Sequence, residues 1–336
     1  MSSKNPVVLF AINKNTWKNF LPNYDRKKLS RFQEVRVDVS RLKPGQWEKI
    51  LIEKQPEVLV SCWETPRLPD ALVREKKIPL KYVNHLTGTV KGLTSRELIE
   101  RGLLISNWGS TISHTIAEHA LLLVLASLRS IPLWRGHMDG SERKHITTRS
   151  LHGKRVGIHG FGAIARHLIS LLKPFGVTLS VYSEGVPVAM FAQHGVRRCK
   201  SLEELVSNID IMIECEAWTP KTQGSVSAKI LKLLPKDAVF VNVGRGYVVD
   251  EAALGKLARA GKLNVGLDVY QKEPLPHDSP LQGLDNAILS PHIAGPTHDA
   301  FPLCGDNVIS NLKSYLSGRK KEIKGVVTLE IYDRTT

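Results

Sequence analysis

Short apolar runs alternate with longer amphipathic stretches along almost the whole chain. In the first third, Val7–Ile12, Val35–Val39, Val58–Ser61, Tyr82–Asn84 and Leu103–Ser106 read as strands. Gln46–Lys54, Pro69–Lys76 and Ser95–Arg101 read as the helices between them. Runs this short, separated by helices of this length, predict β-α-β units in a parallel sheet. A second series starts near Lys154. Its strands are Arg155–His159, Leu179–Tyr182, Ile209–Ile213, Val239–Val243, Val265–Val269 and Ala287–Leu289. Its helices are Ala163–Phe175, Leu202–Ser207, Ala228–Leu234 and Glu251–Ala260, the last with Asp250 as N-cap and Gly261 as C-cap.

Between the two series the pattern predicts a helix from Thr115 to Arg129 that is apolar almost all round (ALLLVLASL), and so buried on most sides. That predicts an interdomain or subunit interface, or a core helix; the expectation taken here is a homodimer built around it. A final amphipathic helix, Asp306–Leu316, places Val308, Ile309, Leu312 and Leu316 on one face. Too little chain follows the second series for a third domain. The expected organisation is therefore a discontinuous domain of residues 1–107 and 297–336, and a second domain of residues 108–296.

Composition narrows the class. At 336 residues, 42% apolar and 24% charged, the chain is an ordinary globular protein of about two domains. No run reaches the ~18 apolar residues of a membrane span; Ile116–Leu128 comes nearest and contains Glu118 and His119. The opening MSSKNPVVLFAINKN lacks a secretory pattern. Cys62, Cys199, Cys215 and Cys304 are too far apart for a zinc clip, so no metal is expected. Reduced thiols and a cytoplasmic location are the simplest expectation. The net charge of +15 invites a nucleic-acid partner, but the basic residues are dispersed and the densest run, Arg319–Lys324, contains Glu322. A positive field equally suits small anionic substrates, and neither nucleic acid nor membrane is expected as a partner.

The clearest chemistry lies in residues 151–185. A strand runs into Gly160-x-Gly162-x-x-Ala165, then a helix, then a second strand. This is a dinucleotide fingerprint with alanine in its third place. Gly160 permits the tight turn, Gly162 lets a pyrophosphate approach the backbone, and the helix N-terminus faces the phosphates. The second strand ends in Ser183-Glu184. An acid there reads the ribose 2′-hydroxyl and repels a 2′-phosphate, which favours NAD and leaves NADP open.

Fingerprint, VFVNVGRGYVVDEAAL (239–254), VGLDVYQKEPLP (265–276) and ILSPHIAGPT (288–297) together resemble the D-isomer-specific 2-hydroxyacid dehydrogenases, which include phosphoglycerate dehydrogenases and glyoxylate/hydroxypyruvate reductases. Residues 101–129 resemble that family's hinge and interface helix. The resemblance implies two doubly wound parallel-sheet α/β domains, a Rossmann-type cofactor domain and a flavodoxin-like substrate domain. It implies hydride transfer between NAD(P)(H) and a 2-keto or D-2-hydroxy acid. His292 would be the general acid/base, Glu273 its partner, and Arg245 the group that binds the substrate carboxylate. Cofactor contacts are carried to Ala163, Ile164, Val243, Gly244 and Asp268, and a substrate-carboxylate turn to Thr87-Gly88. Taken singly, each of the three has an ordinary explanation: Arg245 a surface ion pair, Glu273 a turn residue, His292 a packed loop histidine.

The sequence also departs from the family. Cys215 replaces a usual histidine in Glu214-Cys215-Glu216-Ala217-Trp218-Thr219-Pro220. The loop Ser61–Pro66 lacks the arginine expected of phosphoglycerate-specific members, Arg67 being displaced; Trp63 and Glu64 suggest a substrate tail that is not a phosphate. A non-catalytic NAD(H)-dependent interaction protein of the co-repressor type is the alternative from another class. Glu273 counts against formate oxidation, where glutamine is usual, and phosphite stays open.

Overall fold

The computed structural model describes residues 5–334 apart from 30, 142 and 144. The chain divides into two compact units. One runs to Ile112 and resumes at Thr297; the other is Ser113–Pro296.

The first unit holds a five-stranded sheet: β1 (Val7–Ala11), β2 (Gln33–Val37), β3 (Val58–Ser61), β4 (Tyr82–His85) and β5 (Leu104–Ser106), in the order β2-β1-β3-β4-β5. All four pairings are parallel. This is the doubly wound order that reverses beside the first strand. β1, β3 and β4 are buried almost throughout, as their continuous apolar runs require of strands covered on both faces. β2 is one of the two edge strands and starts earlier than the apolar pattern suggests. Val39 has left the ladder for a 3₁₀ turn, where the Asp38 side chain accepts from Ser40 N.

The Phe301–Leu316 helix belongs to this unit, packing on the Lys14–Phe20 helix and on β4. Asn84 Nδ2 donates to Val308 O at 2.8 Å, and Tyr315 stacks on Tyr82. The helix begins five residues before the predicted Asp306, through Gly305. A Cβ there would lie 1.6 Å from Phe20 O, so this glycine allows a close helix approach and does not end the helix. The Lys14–Phe20 helix was not predicted; it is short and polar, and Asn13 caps it by accepting from Thr16 N.

The second unit holds seven parallel strands: β6 (Arg155–His159), β7 (Thr178–Tyr182), β8 (Arg197–Arg198), β9 (Ile211–Glu214), β10 (Ala238–Asn242), β11 (Leu263–Leu267) and β12 (Ala287–Leu289). Their order is β12-β11-β10-β9-β6-β7-β8, which reverses between β6 and β9. The helix between the series spans Ser113–Leu128. It packs on the Ala163–Leu172 helix and along β10 and β11, where Gly266 admits Leu123. It is buried over most of its circumference, with Glu118 and Leu122 exposed. Asp250 caps the Glu251–Arg259 helix, accepting from Ala253 N at 3.0 Å, and Gly261 follows its end in the left-handed region.

Candidate active site

Ligands of open α/β sheets bind outside the carboxyl ends of the strands, at the point where strand order reverses. In the second unit that point lies between β6 and β9, and the fingerprint follows β6. Gly160 has φ +92°, and a Cβ on it would sit 2.8 Å from both Cα and N of Glu216. Glycine is therefore required there twice over, by backbone conformation and by contact. Gly162 differs: its φ is an ordinary −73° and nothing lies within 4 Å of the Cβ it lacks. Room at a glycine whose backbone does not demand one is what close approach of a pyrophosphate needs. The Ala163–Leu172 helix starts directly after it, so Ala163 and Ile164 place first-turn amides at the turn. These residues fit a dinucleotide.

At the end of β7, Glu184 is exposed and accepts from Tyr182 Oη at 3.1 Å. Ser183 Oγ donates to Glu216 Oε2 at 3.1 Å. Glu216 was not singled out from sequence. Beside β10, Val243 N donates to Glu214 O and Gly244 N to Asn242 Oδ1. A Cβ on Gly244 would stand 2.8 Å from Glu216 O. Burial and the neighbouring Glu214 and Glu216 carboxylates push the Cys215 thiol well up, so it stays protonated and is a poor nucleophile.

The structure brings together two of the three catalytic candidates by direct contact. His292 Nδ1 lies 2.7 Å from Glu273 Oε2, and Glu273 Oε1 accepts from Tyr270 N at 3.0 Å. With Nδ1 held by a carboxylate, Nε2 is the nitrogen left to exchange a proton. His292 has φ +54°, rare for a residue with a side chain, in a loop whose hydrogen bonds hold it there. Arg245 follows β10, and Asn242 Nδ2 donates to its carbonyl. Burial lowers the pKa of its guanidinium, and the Glu273 carboxylate opposes that shift. The adjoining Gly246 carries no side chain because Tyr270 C would be 2.0 Å from a Cβ.

Asp268, just past β11, is buried, and its hydrogen bonds go to the loop that carries His292. Oδ1 accepts from Ser290 Oγ at 2.6 Å and Ile293 N at 2.9 Å; Oδ2 accepts from Ala294 N at 2.9 Å. His119 Nε2 lies 2.8 Å from Ser290 Oγ, and Tyr270 Oη donates to Ser290 O. The family resemblance carries a cofactor contact to Asp268; its side-chain oxygens also anchor the His292 loop. Ser290 and Tyr270 lie inside the motifs 288–297 and 265–276, and His119 inside residues 101–129, but none is singled out by sequence.

In the first unit, Thr87-Gly88 follows β4. Thr87 Oγ1 lies 2.7 Å from His85 Nε2, and His85 Nδ1 lies 2.9 Å from Ser61 Oγ, all buried. Asn107 Nδ2 donates to Gly88 O, and a Cβ on Gly88 would meet the Trp108 ring at 2.7 Å. Trp63 is 55% exposed and edge-on to Trp108. Glu64 Oε1 accepts from Asn13 N and Thr16 Oγ1. Arg67 is turned to Lys91 O and Asp70. Among the described residues no cluster of His, Cys, Asp and Glu could hold a metal ion.

Residues 121–294 match the sequence profile of the D-isomer specific 2-hydroxyacid dehydrogenase NAD binding domain. A D-3-phosphoglycerate dehydrogenase of Methanocaldococcus jannaschii is 31% identical over 302 residues, 88% of this chain and 56% of that protein, so the chain spans little more than half of that relative's length. A glyoxylate/hydroxypyruvate reductase of Arabidopsis thaliana is 32% identical over 225 residues, 65% of this chain and 68% of that protein. The crystal structure of an NADPH-dependent glyoxylate/hydroxypyruvate reductase from Sinorhizobium meliloti has the same fold. Its TM-score is 0.73 at 24% identity, covering 99% of this chain and all of that one. With the profile spanning half of its residues, the chain belongs to the D-isomer-specific 2-hydroxyacid dehydrogenase family.

Proposed function

We propose that the chain is an NAD(P)-dependent D-2-hydroxyacid dehydrogenase working mainly as a 2-keto acid reductase. The observation that carries this reading is the 2.7 Å bond between His292 and Glu273 at the carboxyl edge of the second sheet. Nicotinamide, when bound, supplies a hydride to the substrate's C2. In reduction, His292 Nε2 gives a proton to the ketone oxygen, and in oxidation it takes one back. Glu273 fixes the ring through Nδ1. Arg245 grips the substrate carboxylate through two parallel N–H groups and polarises the carbonyl. The Thr87-Gly88 turn is assigned to that carboxylate as well.

For the cofactor, Gly160, Gly162, Ala163 and Ile164 receive the pyrophosphate, Ser183 and Glu184 the adenosine ribose, and Val243, Gly244 and Asp268 the nicotinamide side. NAD is favoured over NADP by Glu184. The substrate tail carries no phosphate, because the loop after β3 offers an exposed indole and a carboxylate, and Arg67 is already engaged. The chain pairs with a second copy around the Ser113–Leu128 helix, whose Leu122 is 53% exposed. Its free cysteines, three of them buried, suit a reducing cytoplasm.

The test is oxidation of NADH and of NADPH against glyoxylate, hydroxypyruvate, its phosphorylated form, pyruvate and bulkier 2-keto acids. Turnover with an unphosphorylated acid is expected. NADH binding without turnover on any of them would favour the interaction-protein reading. Sedimentation at micromolar concentration should give a dimer, and a monomer would remove that part.

A further inference from the structure

We propose that Glu216, on the turn after β9, is a second carboxylate that governs the choice between NAD(H) and NADP(H), and that Glu184 does not decide it alone. The inference rests on the dinucleotide site described above and adds a residue that no fingerprint contains.

The placement comes first. Glu216 lies where strand order reverses, with its backbone wedged between the phosphate turn and the loop after β10. A Cβ on Gly160 would be 2.8 Å from its Cα, and one on Gly244 2.8 Å from its carbonyl oxygen. Its carboxylate reaches toward the end of β7, where a ribose-reading group is expected: Oε2 accepts from Ser183 Oγ at 3.1 Å. Oε1 accepts from Ala217 N at 2.9 Å. The serine that stood as a candidate reader is thus a donor to this acid. A carboxylate has about four acceptor sites, so two remain for a ribose hydroxyl.

The support comes second. Glu214 ends β9 at 0% exposure and holds the turn from below. Its Oε1 accepts from Glu216 N at 2.7 Å, and its Oε2 lies 2.6 Å from Nδ1 of His159, itself 3% exposed. The turn that presents Glu216 is therefore tied to β6 directly under Gly160. His159 and Glu214 are positioning residues.

The charge balance comes third. Glu214 faces an imidazole, whereas neither Glu216 nor Glu184 forms an ion pair among the described residues. Glu216 is half-buried and tied by hydrogen bonds; Glu184 is exposed. A held, partly buried charge is screened less by salt than an exposed one, so Glu216 repels a 2′-phosphate more strongly.

The experiment is equilibrium titration of NADH and NADPH, followed by nicotinamide fluorescence, on the full chain and on Glu216→Gln, Glu216→Lys and Glu184→Gln. The wild type should bind NADH more tightly. Glu216→Gln should tighten NADPH by about tenfold relative to NADH, the worth of removing one nearby like charge. Glu216→Lys should exceed that, and Glu184→Gln should fall short of it. Among the described residues the Glu216 side chain bonds only to Ser183 Oγ and Ala217 N, and the lysine variant gives a second reading should the glutamine variant melt early. Wild-type preference for NADPH, or a ratio within twofold of wild type in both Glu216 variants, would overturn the inference and leave the dinucleotide site standing. A wild-type chain that binds neither nucleotide would overturn both.

Discussion

Each sheet ends a central strand in a buried histidine, and the two are opposites. His85 closes β4 between the hydroxyls of Ser61 and Thr87. Burial, with no carboxylate to offset it, pulls its pKa down to about 4, so it is a neutral hydrogen-bonding link. His159 closes β6 against Glu214. Burial again works against its charge, but the Glu214 carboxylate, helped by Glu216 and Glu184, outweighs it and raises the pKa. The residue type, strand position and burial match, and the partner across the sheet decides which way the pKa moves. The same contrast extends along both sheet edges. The first unit lines its carboxyl edge with hydroxyls and indoles, and the second with Arg245, Glu273, His292 and the Glu214–Glu216 turn.

The largest effect should come from the charged edge. His292→Ala is expected to lower kcat for keto-acid reduction by about 10²–10⁴-fold, the usual worth of a positioned acid. NADH affinity should barely change. Near-normal turnover in a stopped-flow assay would move proton transfer off this edge and break the contrast.

The neutral edge makes a prediction about stability. The unfolded chain takes up a proton at His85 as pH falls below about 6.5, and the folded chain only near pH 4. This histidine's contribution is therefore full above 6.5 and is lost between 6.5 and 4, up to about 3 kcal/mol. His159 has the opposite sign. With its folded pKa raised, its contribution is full below the ordinary value near 6.5 and is lost as pH rises through the raised one. Urea midpoints across pH should lose their acid-side slope in His85→Gln and their alkaline-side slope in Glu214→Gln. Slopes unchanged in both would show that the partners do not set these charges.

Arg245→Lys should cost about tenfold or more in kcat/KM although the charge is kept, because an ammonium cannot make the second parallel N–H contact. Activity equal to wild type would reduce Arg245 to a point charge. The smallest effect is expected from Glu273→Gln, which should lower kcat by less than His292→Ala does, because a neutral amide holds Nδ1 of the imidazole less firmly than the carboxylate now 2.7 Å away. Activity equal to wild type would give Glu273 no part in holding the ring.

Much of this molecule was legible in its sequence. Strands β3, β6 and β12 and the Gln46–Lys54 helix fall where the apolar periodicity puts them, because short buried runs and amphipathic stretches are local signals. Gly160 and Gly162 marked the tight turn from β6 into the next helix for the same reason. What the local pattern missed was also physical. The Phe301–Leu316 helix begins five residues earlier than Asp306, because Gly305 packs against Phe20, and the hydrogen bonds of Asp268 to the backbone of residues 293 and 294 carry no local signal.

The sequence by itself determined the two parallel α/β series, the order of the motifs and the residue types available for hydride-transfer chemistry. Only tertiary structure decided which of those residues meet. His159 and Glu214 are 55 positions apart and end separate strands, and Ser183 and Glu216, 33 apart, lie just past the ends of β7 and β9. Strand order, set by the doubly wound crossovers, places β9 beside β6 and brings these side chains within hydrogen-bond reach. Since an ionisable group's pKa depends on what lies within a few ångströms of it, that pairing, invisible to any local pattern, raises the pKa of one buried histidine while burial alone lowers that of the other.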